Sequence, residues 1–215
     1  YQIAELNPFT YHFTNLLFHL INTFLVFYFI YLISEKQIGT ALITAVLFGI
    51  HPMHVESVAW VSERKDVLFT CFFLAAASTY WHYISSGKSK TYVFALLLFL
   101  ASLLSKATAV TLPLVLLLLD YYKGRKLNMQ LIIEKIPFFI LSIIFGLLTI
   151  KYQSQGAIGD LDDFSALERI MFASYGFVMY ALKFLLPFNL SAFYPYPATA
   201  NMPILFKIVP LLSVI

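Results

Sequence analysis

The chain has 215 residues, 60% of them hydrophobic and only 12% charged, with 22 Phe, 14 Tyr and a mean hydropathy of +0.82. Soluble domains are roughly 45 to 50% apolar and about 25% charged, so this composition excludes a soluble globule and implies a polytopic α-helical membrane protein. The net charge of +3 is accounted for by loop lysines and arginines and calls for no nucleic acid, and the single cysteine, Cys71, allows neither an internal disulfide nor a cysteine-based metal centre.

About 20 apolar residues cross a hydrocarbon core of roughly 30 Å. Tyr11 to Ile33 reaches that length, Ile38 to Ile50 is short, and Val67 to Ile84 is again a good span. Thr91 to Asp120 is too long for one span at about 1.5 Å per residue, and it carries Ser105 and Lys106 at its middle. That pattern predicts two short helices reversing at Lys106. Ile132 to Ile150 forms a further span. Ser165 and Glu168 have the spacing of a capping box ahead of an apolar run to Leu186, which predicts a helix that either spans or re-enters, and another starts near Ile204. Runs such as LLLFLASLL do not alternate in polarity, so a transmembrane barrel is rejected. The expected fold is all-α, a polytopic helical bundle of about seven to eight membrane helices in one domain over residues 1–215. The chain has no initial Met and stops inside the apolar run LLSVI, so it reads as a fragment truncated at both ends.

Loop charge orients the bundle. Lys36, Lys88, Lys90, Lys123, Arg125 and Lys126 fall on one side if the first helix enters from outside, while Arg64, Lys65, Lys106 and Lys151 fall on the other. The richer set is placed in the cytoplasm by the positive-inside rule. His51 to Asp66, Lys106 and the acidic turn from Gly159 to Asp163 then face out together.

Ionisable groups at the edge of membrane spans are costly and mark sites by default. The block HPMHVESVAWVSERKD, His51 to Asp66, is therefore the first candidate. Upstream, His12, Asn15, His19 and Asn22 recur at i, i+3, i+7 and i+10, within an arc of roughly 80° on a helix, and so form one polar stripe that cannot face lipid. The stripe is suited either to interhelical hydrogen bonding or to substrate contact. His51, His54 and Glu56 have metal-ligand chemistry, but Pro52 between the histidines breaks the i, i+4 spacing of helical zinc motifs, and no metal is assigned. Whether a divalent metal takes part as a cofactor is left open.

Pro52 starts a helix, which would set Glu56, Trp60 and Glu63 on one face at i, i+4 and i+7. A carboxylate beside an aromatic plane can hold a sugar; the alternative is an interfacial helix anchored by Trp60. Arg64 and Lys106, with Asp66 beside them, have the charge to hold a lipid phosphate, Arg as a planar fork and Lys as a point charge. Their plain alternatives are local ion pairs and snorkelling. Asp160-Leu161-Asp162 looks like the D-x-D of nucleotide-sugar transferases but is accounted for by helix capping and solvation in an acidic turn, Asn189-Leu190-Ser191 fits an unspecific glycosylation sequon, and Phe193 to Pro197, with Tyr194, forms a rigid aromatic loop able to stack on a ligand or to sit among headgroups.

Four motifs in order, NPFTYHFTNLLFHLIN from Asn7, HPMHVESVAWVSERKDVLF from His51, LLSKATAVTLPLVLLLLDYY from Leu103 and LLPFNLSAFYPYP from Leu185, resemble the membrane part of transmembrane, tetratricopeptide-repeat-containing O-mannosyltransferases, especially their bacterial relatives. The resemblance implies a GT-C-like membrane fold with its site on the external face. It also implies a polyprenyl-phosphate sugar donor and a protein or glycan acceptor. The expected location is a bacterial inner membrane with the site toward the periplasm. It places the catalytic carboxylate in an external loop upstream of Tyr1, and the residues read above, His12, His19, His54, Glu56, Trp60, Arg64, Asp66, Lys106 and Tyr194, are the expected substrate-binding set. Ala107 departs from the family's animal members, in which an acidic residue often follows the lysine matched by Lys106. The rival readings are a transporter, which would show inverted repeats and polar breaks near mid-membrane, and a non-catalytic membrane scaffold.

Overall fold

The computed structural model describes residues 7–126, 128–153 and 165–191. These fall in two compact units, within 1–153 and within 154–215. Among the described residues every regular element is helical: α1 Pro8–Ile33, α2 Ile38–Ile50, α3 Val55–Ala59, α4 Arg64–Ser86, α5 Ser89–Ser105, α6 Leu112–Tyr122, α7 Met129–Gln153 and α8 Ala166–Leu185. Short 3-10 turns at Pro52–His54, Val61–Glu63 and Ala107–Thr111 join them.

Local chemistry explains the boundaries. The Asn7 side chain caps α1 by accepting from the Phe9 N–H, and Pro8 sits in the first turn, where its missing N–H has no partner to lose. α2 stops at His51 because the residue before a proline is driven out of the helical region, and His51 is extended with Pro52 following. The chain bends by 51° between α2 and the segment Pro52–Ala59. Gly87 ends α4 with φ 66°, a left-handed cap that glycine adopts without a steric penalty.

α1 and α2 pack closely because Ala41, Ala45 and Gly49 recur every fourth residue along α2. Both alanines are buried, and a Cβ added to Gly49 would lie 3.1 Å from Thr23 Cγ2. Small residues that admit close backbone approach are the usual basis of helix pairing in membranes. The main core lies among α4, α5, α6 and α7, with Tyr80, Phe99, Leu112, Leu116 and Phe138 fully buried. α7 keeps Pro137 in its interior, a break in the ladder that membrane helices tolerate where neighbours re-satisfy the backbone.

The predicted reversal at Lys106 is present. Lys106 is extended (φ −155°, ψ 132°) between α5 and the turn that leads into α6. Ser102 near the top of α5 donates to the Phe69 carbonyl in the first turns of α4, while Tyr92 near its bottom donates to the Glu134 carbonyl of α7. α6 then returns toward the Tyr92 end, where Asp120 meets Tyr80.

Three described helical stretches are long and apolar enough to cross a membrane, Pro8–Ile33, Val61–Ser86 and Met129–Tyr152, and the bent α2 to α3 pair makes up to four. Large apolar side chains such as Phe24, Leu47 and Ile143 point outward from them. Outward apolar faces on spans of this length are what a lipid environment requires, and the chain is an integral membrane protein. In the second unit, α8 begins with the predicted capping box: Glu168 N–H donates to Ser165 Oγ and Ser165 N–H to Glu168 Oε2. The acidic turn Gly159 to Asp163, Asp160-Leu161-Asp162, the aromatic loop with Tyr194 and the helix expected near Ile204 lie outside the described residues.

Candidate functional site

The polar stripe of α1 splits in two. Asn15, His19 and Asn22 are buried, whereas His12 is exposed. Asn15 Nδ2 donates to the Trp60 carbonyl at 3.1 Å, His19 Nε2 to the Gly49 carbonyl at 2.9 Å, and Asn22 Nδ2 to the Val67 carbonyl at 2.8 Å. A carbonyl can only accept, so His19 carries its proton on Nε2. These bonds tie α1 to the end of α2, the break after α3 and the start of α4, which is the interhelical role open to the stripe from its sequence.

The bond from Asn15 reaches a break in the segment after Pro52. A continuous helix from Pro52 through Glu63 was expected, yet Trp60 is extended (φ −86°, ψ 123°) and separates α3 from the next turn. The Trp60 carbonyl accepts from both Asn15 Nδ2 and the Glu63 N–H, so the break is bonded on both sides. Glu56, Trp60 and Glu63 therefore do not share one helix face. Glu56 and Trp60 are both exposed, Trp60 by 54%.

The charged end of the block is more closely organised. Arg64 Nη2 donates to Thr14 Oγ1 at 2.7 Å, and its guanidinium lies 5.0 Å from the centre of the Tyr11 ring. Lys106 forms an ion pair with Asp66, whose other oxygen accepts from Ser57 Oγ at 3.4 Å. Lys65 pairs with Glu63 at 3.2 Å. Asp66 occupies the first turn of α4, where a carboxylate is favoured by the helix dipole, and the extended Lys106 leaves its side chain free to turn back toward it. The reversal at Lys106 thus delivers a distant cation to the start of α4, and Arg64 and Lys106 come to the same end of the bundle.

Beneath them, the His54 ring packs 4.4 Å from Phe48 and faces His19 at 5.7 Å and His51 at 6.0 Å, centre to centre. Among the described residues no group of three or more His, Cys, Asp or Glu is arranged to hold a metal ion.

A second charged cluster, not anticipated from the sequence, sits at the opposite end. Asp120 accepts from the Tyr80 hydroxyl at 3.0 Å and from Arg125 at 2.7 Å, and it pairs with Lys135, which also meets the Tyr80 hydroxyl. Arg125 bridges onward to Glu134 at 2.9 Å, and these bonds to Glu134 and Asp120 hold its guanidinium still more firmly protonated than usual. Asp120 closing the apolar run PLVLLLLD, and Glu134-Lys135 inside an apolar helix, were the signals that could have marked it.

Parts of the chain are similar to curated proteins. It is 35% identical over 85 residues to "Protein O-mannosyl-transferase TMTC1" of Mus musculus, covering 40% of this chain and 9% of that protein. It is 31% identical over 111 residues to "Protein O-mannosyl-transferase Tmtc1" of Drosophila melanogaster, covering 52% and 13%. With "Protein O-mannosyl-transferase TMTC3" of Mus musculus it shares 36% identity over 80 residues, 37% and 8% of the two chains. The matched segments thus span about a tenth of the length of these relatives. No protein-family model and no solved structure matches the chain.

Proposed function

Because the chain is a relative of the protein O-mannosyl-transferases, we propose that the whole protein is an integral-membrane glycosyltransferase that moves a sugar from a polyprenyl-phosphate carrier to a protein hydroxyl on the non-cytoplasmic side. In a bacterial cell that side of the inner membrane is the periplasm. The observation that carries the reading is the convergence of Arg64 and Lys106 at the end of the bundle that also exposes Glu56 and Trp60. In the reaction the acceptor oxygen bonds to the anomeric carbon, the bond from that carbon to the phosphate oxygen breaks, and the acceptor proton passes to a carboxylate base. The departing phosphate keeps the electron pair, so cations fixed beside it stabilise the charge as it develops.

Each cation is prepared for this. Thr14 and Tyr11 hold the Arg64 fork, and Asp66 holds Lys106 through one of its three donors, leaving two for phosphate. Asp66 is then a positioning residue, and Trp60 offers a ring for the apolar face of a sugar. Purified whole protein given radiolabelled polyprenyl-phosphate mannose and a hydroxyl-bearing acceptor protein is expected to yield labelled protein. Vesicle uptake of label without transfer would favour a transporter, and neither outcome a scaffold.

Two further results are expected. Glu56→Gln should lower the transfer rate at least about tenfold while unfolding free energy changes by less than about 1 kcal/mol, because an exposed amide keeps the shape and loses the charge. Full activity in that variant would remove Glu56 from the site. Single cysteines at Ser62 and Gly124, with Cys71 replaced, should label with an impermeant maleimide from opposite sides of the membrane, Ser62 from outside. Labelling from one side would overturn the orientation.

A further inference from the structure

At the end of the bundle away from Arg64 and Lys106, the last turns of α1, α4 and α6 surround a cavity of about 560 Å³. Ligand pockets run from roughly 300 to 1,000 Å³, so the space suits a small molecule or a lipid headgroup. Leu32 and the nearly buried Trp81 supply apolar wall. The Tyr122 ring lies 6.1 Å from that of Trp81, and Lys123 Nζ stands 4.7 Å from the indole centre.

The rim carries both signs of charge. Lys36 and Lys123 are its ammonium groups and Glu35 its carboxylate. Glu35 and Lys36 have φ of 54° and 68°, left-handed conformations that non-glycine residues hold at a cost, and both lie on the cavity lining. Neither forms an ion pair among the described residues. Three helices also end here, and the negative end of each helix dipole is worth roughly half a charge, although the N–H groups of Lys36, Gly87 and Arg125 already cap the Tyr31, Tyr83 and Asp120 carbonyls. A bare anion would be opposed by Glu35 and the dipole ends, and a bare cation by the lysines. A ligand with a phosphate and an ammonium a few atoms apart satisfies both.

Placement argues for a lipid as the source of that headgroup. Trp and Tyr collect at the level of the headgroups, and Trp81 and Tyr122 line this cavity at the ends of α4 and α6. We propose that this cavity binds the headgroup of a zwitterionic phospholipid, its phosphate on Lys36 and Lys123 and its amine on Glu35 and the helix-end carbonyls. The site is independent of the transferase reading, since it shares no residue with the other end of the bundle.

Native mass spectrometry of the whole protein, given equal amounts of phosphatidylethanolamine and phosphatidylglycerol, tests this directly. Wild type is expected to retain the ethanolamine lipid preferentially. The double variant Lys36→Ala with Lys123→Ala should lose about tenfold or more of that retention, as expected for two lost charged contacts. Glu35→Gln should erase the preference for the amine-bearing lipid while keeping the binding of phosphatidylglycerol. In wild type alone, an ethanolamine lipid with a photoreactive headgroup should cross-link to the last turns of α1, α4 or α6. No preference in wild type, undiminished retention in the double variant, or cross-links only elsewhere would each overturn the proposal. Displacement by soluble phosphoethanolamine at the same concentration as the lipid would overturn the lipid assignment in favour of a free phosphate ester.

Discussion

Replacing Asp120 with Ala is expected to lower the unfolding free energy of the detergent-solubilised protein by about 3 to 5 kcal/mol, the usual cost of stranding one partner of a buried ion pair. Asp120 and Lys135 are each about 2% exposed and Tyr80 is fully buried, so water cannot replace the lost carboxylate. Lys135 would keep only the Tyr80 hydroxyl, and Arg125 would keep Glu134. The network connects α4, α6, the loop after α6 and the start of α7, and its loss should loosen all four together. Thermal or denaturant unfolding followed by helical signal reads the effect. The paired change of Asp120→Leu with Lys135→Met should recover most of the loss, because exchanging both charges for apolar side chains of similar size is often close to neutral. A single variant that loses less than about 1 kcal/mol would show that this cluster is not a structural tie.

Arg64→Ala and Lys106→Ala are each expected to weaken binding of the lipid-phosphate donor by about 2 to 4 kcal/mol, roughly 30-fold to 1,000-fold, with folding retained. The expectation rests on removing a hydrogen-bonded charge from a phosphate that the remaining groups then bind less completely. Arg64→Lys should restore less than half of the loss, since a lysine cannot reproduce the fork that Thr14 and Tyr11 hold in place. Asp66→Asn should act on Lys106 without touching donor, giving a smaller loss than Lys106→Ala. Titration of labelled donor against the purified whole protein separates these values. Well-folded variants that bind donor as wild type does would return Arg64 and Lys106 to ion pairing and snorkelling.

Hydropathy and capping chemistry are local properties, and what depends on them was legible in the residues. The all-helical membrane class, the stop of α2 at Ile50 before His51-Pro52, the break at Lys106 and the capping box at Ser165 all follow from neighbours within a turn or two. So does the inward stripe of Asn15, His19 and Asn22, because a polar row on an apolar helix has no other stable direction. The partners of that row were not legible, since each is a backbone carbonyl 30 to 45 residues away and carbonyls have no sequence signature. The same distance hid the Asp66 and Lys106 pair, separated by 40 residues, and the meeting of Tyr80 with Asp120 and Lys135. Periodicity even misled at Trp60, where a continuous helix would have aligned Glu56 with Glu63 and the extended Trp60 breaks it. By itself the sequence determined which segments are helical and which residues cannot face lipid. Only the tertiary structure decided which of those residues meet, because pairing is set by how the helices pack and reverse, not by the order of residues within any one of them.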